Sequence, residues 1–127
     1  MTKVKQSKLL ATRSNNQRKT SNCISINTSD GILFINSDMI LRVEADRSYS
    51  YLYLLNGNKK TVSKPLKEVE KMLPENLYFR THHSHLINLS HIDMIKYQDG
   101  GCVLMKDGSQ VPIARRRKRE FVSFMTA

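Results

Sequence analysis

Three histidines, His82, His83 and His85, lie close together beside Arg80, Thr81 and Ser84, and His91 follows shortly after. Imidazole can act as a base, a metal ligand or a hydrogen-bond partner, and each use needs different company. As a nucleophile Ser84 would need His83 or His85 as its base. Neighbours along a strand point to opposite faces, so adjacency builds no triad. The carboxylates are scattered through turns and helix surface, and neither a phosphate-cradling glycine loop nor a dinucleotide fingerprint occurs. An enzyme is therefore not expected, and no catalytic residue is assigned. His83 and His85 would share a face of one strand, but no Cys or carboxylate stands at ligand spacing, so neither a metal nor another cofactor is expected. What remains is hydrogen bonding to phosphates and base edges, which suits histidines set among Arg80, Thr81 and Ser84. His91 reads as a strand or turn residue without a ligand role.

The second group with chemical meaning is the run Arg115, Arg116, Arg117, Lys118 and Arg119. The chain of 127 residues has a formal charge of +10, unevenly spread. Residues 1–22 contribute +6 with no acid, residues 115–127 contribute +4, and residues 23–114 are neutral. Cations concentrated in this way gain affinity for phosphate backbones by releasing condensed counterions, which makes nucleic acid the leading partner. For residues 1–22 a solvated tail is an equal alternative to contact. An anionic membrane surface also attracts polybasic segments, but the N-terminal charges lack an inserting face of Trp, Phe and Leu, and no membrane partner is expected. The N-terminus has no apolar signal core and no apolar run approaches bilayer length, so the expected location is the cytoplasm. Cys23 and Cys102, far apart and outside any CxxC spacing, fit reduced structural residues better than a disulfide framework or a zinc ribbon.

These groups must be positioned by one domain, because a chain of this length buries a single modest core. Residues 1–22 are too polar to contribute to it and read as a flexible basic arm or linker. From Cys23 to the C-terminus short runs of Ile, Val, Leu and Tyr alternate with turn signals at Ser29-Asp30-Gly31, Asn56-Gly57-Asn58, Asp99-Gly100-Gly101 and Asp107-Gly108. They imply strands over 23–28 and 32–36, 40–45, 49–55 and 59–63, and 92–97, 102–106 and 109–113. Tyr49, Tyr51 and Tyr53 share one strand face and Ser50, Leu52 and Leu54 the other. The tyrosine stripe suits cross-strand packing better than base stacking. Ser63 as cap, Pro65 in the first turn and Leu66, Val69 and Leu73 at helical spacing before Pro74 imply a helix lidding one end of the sheets. A second, short helix is expected over 115–125. Its cationic first turn opposes the helix dipole, at a cost of a few tenths to ~1 kcal/mol that an anion would offset.

Taken in order, these segments resemble the LytTR family of DNA-binding domains. The resemblance runs over about residues 24–125, through Glu44-Ala45-Asp46, Asn56-Gly57, the helix at Leu66 to Glu70, Phe79-Arg80-Thr81-His82-His83-Ser84-His85-Leu86-Ile87-Asn88, Ile92, Asp107-Gly108 and Val111-Pro112-Ile113-Ala114-Arg115-Arg116. It implies an all-β fold, an elongated arrangement of small antiparallel sheets with one lid helix and a short C-terminal helix. It also implies that loops, rather than a recognition helix, enter successive major grooves on one side of bent DNA. By position the three contacting patches fall on Arg47 and Ser50, on His82 and His83, and on Arg115 and Arg116. Arg forks can bridge guanine O6 and N7, while hydroxyls and imidazoles reach phosphates or ring nitrogens. Three positions depart from the family pattern: His83 replaces a common Arg or Lys, Ala114 a common Ser, and the first patch is rich in Ser and Tyr instead of basic residues.

The sequence thus implies sequence-specific binding of double-stranded DNA by a bacterial transcription regulator. The alternative is an RNA-binding module that uses the tyrosine face. A receiver domain usually precedes such a module, so residues 1–22 are either the linker of a longer regulator or part of a protein that acts without phosphorylation. Self-association on repeated half-sites is left open. Removing residues 1–22 should weaken binding to every duplex and lower the slope of log affinity against log salt, by about 0.9 for each phosphate that is no longer neutralised, while the preferred sequence survives. Titrations of preferred and unrelated duplexes at two salt concentrations check this; disappearance of the preference with the arm would move specificity out of the β domain.

Overall fold

A computed structural model describes residues 23–97 and 100–126; the arm at 1–22, and Asp99 of the third turn signal, lie outside these. The expected strands form, arranged in three small antiparallel sheets. β1 (Cys23–Thr28) and β2 (Gly31–Asn36) make a hairpin. β3 (Ile40–Asp46), β4 (Tyr49–Leu54), β5 (Lys59–Val62), β6 (Tyr78–His82) and β7 (His85–Asn88) form a sheet in the order β5-β4-β3-β7-β6. β8 (Ile92–Lys96), β9 (Cys102–Met105) and β10 (Gln110–Pro112) form the third. Two α-helices, α1 (Leu66–Met72) and α2 (Arg115–Thr126), and two short 3-10 turns, Ser37–Met39 and Leu89–His91, complete the described fold.

The five-stranded sheet is covered on both faces. Ile40, Val43, Leu52, Val62 and Leu86 bury themselves with Ile26 of the hairpin and with Leu66, Val69 and Leu73 in and just after α1. Leu41 and Ile87, one step along β3 and β7, instead join Val103, Met105, Val111, Ile113 and Phe121 of the third sheet and α2. Alternation sends Leu86 and Ile87 of β7 to opposite cores, whereas in β3 the register irregularity between Ile40 and Arg42 lets Leu41 and Val43, two residues apart, do the same. A buried polar node accompanies the first core: the Tyr78 hydroxyl donates to the carbonyls of Ser37 and Ile40, and Asn88 Nδ2 donates to Ile40 O at 3.0 Å.

Three local expectations change. α1 packs over β3, β4 and β7, the middle of the sheet face, and not over one end of the sheets. Pro65, not Ser63, occupies its N-cap, and no side chain caps the helix. Its ring already holds φ at −69°, and the first-turn N–H of Glu68 bonds to its carbonyl instead. The third change is that His83, Ser84 and His85 do not run along one strand: His83 and Ser84 form the turn between β6 and β7. No shared strand face of His83 and His85 therefore exists.

Arg47, in the two-residue turn between β3 and β4, has φ 60° and is the single non-glycine residue at positive φ among those described. An L-residue there costs ~1 kcal/mol, which glycine avoids. Arg47→Gly should therefore raise the melting temperature by a few degrees, on the scale of ~4–8 °C per kcal/mol for a domain of this size. Thermal melts of the two proteins decide the point, and an unchanged or lower value for the variant would show that the turn stores no strain.

Candidate nucleic-acid interface

At the β6–β7 turn, His82 Nδ1 accepts a hydrogen bond from the Ser84 backbone N–H at 3.1 Å, which puts the ring proton on Nε2. The rings of His82 and His83 are 4.4 Å apart, and His85 meets His82 edge-on at 5.6 Å. Burial, and then the charges of His83 and Arg80, hold the His82 imidazole below the usual range. Burial also lowers His85, against the opposing pull of Glu44, and its buried Nδ1 has no hydrogen-bond partner. The turn is closed by Arg80: Nε donates to His82 O at 3.2 Å, Nη2 to His83 O at 2.6 Å and Nη1 to Glu70 Oε1 at 2.9 Å.

Two backbone bonds bring the other patches to this turn. Ala45 N donates to Ser84 O at 2.8 Å, which sets the β3–β4 turn alongside, and Arg47 and His83 line one shallow groove with Lys67, Arg80 and Ser84. Ala114 N donates to Thr81 O at 2.7 Å, which fixes the start of α2 at the end of β6. Arg47, His82, His83, Arg115 and Arg116 therefore belong to segments that meet at one end of the five-stranded sheet.

Ser50 does not join them. Its side chain is fully buried and its hydroxyl donates to Lys64 O at 2.7 Å, because residue 50 lies on the inward face of β4 with Leu52 and Leu54. This corrects the expectation of a surface contact; its bond instead holds the chain entering α1. Beside it, Tyr51 donates to Asp46 Oδ2 at 2.6 Å, and this bond and the carboxylate's charge raise its phenol above the ordinary value. Two rings of the tyrosine face carry cations, with Arg42 3.9 Å from the Tyr53 ring centroid and Lys59 4.5 Å from that of Tyr51, while Tyr49 is exposed.

The basic run divides as a helix must. Arg117 lies 4.8 Å from the Phe79 ring centroid and pairs with Glu120 at 3.5 Å, while the stem of Lys118 packs over Gly101. Arg115, Arg116 and Arg119 remain exposed. Ala114 offers the helix start no side-chain acceptor, and the first-turn N–H of Arg117 bonds to the Ala114 carbonyl at 2.8 Å. His91 lies elsewhere, with Nε2 3.1 Å from Asp38 O. Sequence reasoning missed Arg80 as the clamp of the turn and Lys67 on the groove. The adjacency of Arg80 to the histidines was visible, whereas its partner Glu70 is known only once α1 packs.

The model of the LytTr DNA-binding domain matches residues 30–126. Among curated proteins, the chain is 36% identical over 62 residues to the sensory transduction protein LytT of Bacillus subtilis, covering 47% of this chain and 26% of that protein. It is 31% identical over 86 residues to the sensory transduction protein LytR of Staphylococcus saprophyticus, covering 68% and 34%. To the CO-responsive transcriptional regulator RcoM of Rhodospirillum rubrum it is 28% identical over 85 residues, covering 65% and 36%. The chain thus spans about a quarter to a third of these relatives. A LytTr DNA-binding domain of a methyl-accepting/DNA response regulator from Bacillus cereus has the same fold, with a TM-score of 0.72 over 84% of this chain and 98% of that one at 22% identity.

Because folding keeps His82 and His85 neutral, the unfolded chain takes up protons first as pH falls. Their contribution to stability is complete above the ordinary imidazole value of ~6.5 and is lost below it. The melting temperature should drop between pH 7.5 and pH 5.5, and His85→Gln should shrink that drop whatever its effect at pH 7.5. Equal drops in both proteins would place the proton uptake elsewhere.

Proposed function

The chain belongs to the LytTR family of DNA-binding domains, and from that membership we propose that it is the sequence-specific duplex-binding module of a bacterial transcription regulator, reading successive major grooves through its loops. The observation that carries this reading is the convergence of the β3–β4 turn, the β6–β7 turn and the start of α2, tied by the Ala45–Ser84 and Ala114–Thr81 bonds. On this reading Arg115 and Arg116 offer planar forks to guanine edges, and His82 offers its Nε2–H to a base or phosphate oxygen. Arg47, His83, Lys67 and Arg119 meet backbone phosphates. Binding is the whole of the activity, with no chemical step. The six cations of residues 1–22 add sequence-independent attraction. No observation favours the RNA reading, and two of the three rings that would stack bases, Tyr51 and Tyr53, are engaged with Lys59 and Arg42.

The proposal extends to the whole protein in the same terms. The relatives described as sensory transduction proteins are several times longer than the matched segment, which fits a receiver domain in a longer regulator of the cytoplasm. Self-association on repeated half-sites would give such a regulator added reach along DNA.

Arg116→Lys keeps charge and removes the fork, so it should relax preference at one base pair by ~1–3 kcal/mol and leave the salt slope unchanged. Arg119→Ala should lower affinity equally for all sequences and reduce that slope by about 0.9, the share of one phosphate. Binding to a site selected from random duplexes, and to its single-base variants, at two salt concentrations tests both. Equal, sequence-independent losses in the two variants would reduce the run to an electrostatic clamp.

A further inference from the structure

The β6–β7 turn lacks the residues that usually make a tight hairpin. It has no Gly, Asn or Asp, and neither His83 nor Ser84 adopts a positive φ. Its shape comes from outside the turn. A register shift between Arg80 and His82 bends the end of β6, and two successive carbonyls, those of His82 and His83, converge on one guanidinium. The Arg80 side chain is only 21% exposed, and its guanidinium is also held by Glu70 on α1. The Ser84 N–H is then directed to His82 Nδ1, which fixes the ring and its tautomer. We infer that Arg80 is a positioning residue, acting through the backbone of the turn to aim the Nε2–H of His82, and that Glu70 in turn orients Arg80. The inference rests on the DNA-binding reading only for its effect on base preference; the clamp itself is a property of the free protein.

A planar fork is what the geometry requires. Three acceptors lie around Arg80 in different directions, and a single ammonium on a flexible stem cannot meet them together. Arg80→Lys keeps the charge that helps to keep His82 neutral and loses the clamp. Arg80→Lys should therefore lower discrimination at the base pair served by His82 by roughly tenfold, within the range for one specific contact, and leave the salt slope unchanged. In a His82→Ala background the same change should have no further effect on discrimination. Glu70→Gln, which can still accept a hydrogen bond, should give a smaller loss of the same kind and guards against a variant that folds poorly.

A readout without DNA tests the clamp directly. Imidazole nitrogen shifts of His82 in the free protein should report one fixed Nε2–H tautomer in the wild type and an average of the two in Arg80→Lys. An unchanged tautomer population in a folded Arg80→Lys protein would overturn the inference. So would a uniform loss across sequences with a lower salt slope, which would make Arg80 a phosphate contact, or an undiminished effect of Arg80→Lys in the His82→Ala background. If the wild type discriminates no duplex, the DNA reading fails, and the tautomer measurement alone decides the role of Arg80.

Discussion

The pairing of β6 with β7 is the constraint on which the rest depends, because five consecutive residues of β6 each hold a different part of the molecule. Tyr78 enters one core and donates its hydroxyl to the Ser37 and Ile40 carbonyls beside Asn88 of β7. Phe79, opposite Ile87, packs against Phe121 of α2 with ring centroids 4.9 Å apart. Arg80 reaches α1, Thr81 offers its carbonyl to Ala114, and His82 begins the turn. An edge strand of five residues thus connects both cores and both helices. A one-residue slip of its register would exchange the residues sent to each face and undo all of these contacts together.

Most of the fold was legible because its turns obey local rules. Gly31, Gly57 and Gly108 sit at positive φ in hairpin turns, where the missing Cβ makes the chain reversal inexpensive, and the strands on either side fell within a residue or two of their expected ends. Tyr49, Tyr51 and Tyr53 were legible for the same reason, since period-two alternation decides which side of β4 faces inward. The turn at His83–Ser84 was illegible because its closure comes from a side chain braced by a helix ten residues upstream of Arg80. Ser50 failed by a related route. Its position on the buried face follows from the alternation that set Leu52 and Leu54 inward, but resemblance by position assigned it to the surface.

The basic run shows where sequence and packing divide the work. Five adjacent cations look equivalent in a string, and helical geometry alone sends them to different sides. Only the packed structure shows that the side of Arg117 and Lys118 meets Phe79 and Gly101, with guanidinium and stem serving as packing material. That leaves a narrower cationic arc of Arg115, Arg116 and Arg119.

The end of the sheet where the β3–β4 turn, the β6–β7 turn and the start of α2 meet also concentrates features that a fold optimised for stability would avoid. Arg47 stands at positive φ where other turns use glycine, and the first turn of α2 is a run of cations that opposes the helix dipole. Each costs free energy on the order of tenths to ~1–2 kcal/mol in the free protein. A polyanion would offset the helix-start cost directly, since phosphate oxygens supply the acceptors and the negative charge together. It would draw the cations of the three segments to one surface, and a neutral His82 can still donate from Nε2 without a proton being gained or lost. On the proposed DNA-binding reading these local costs fall where a charged partner would offset them, while the other turns are built from residues that suit them.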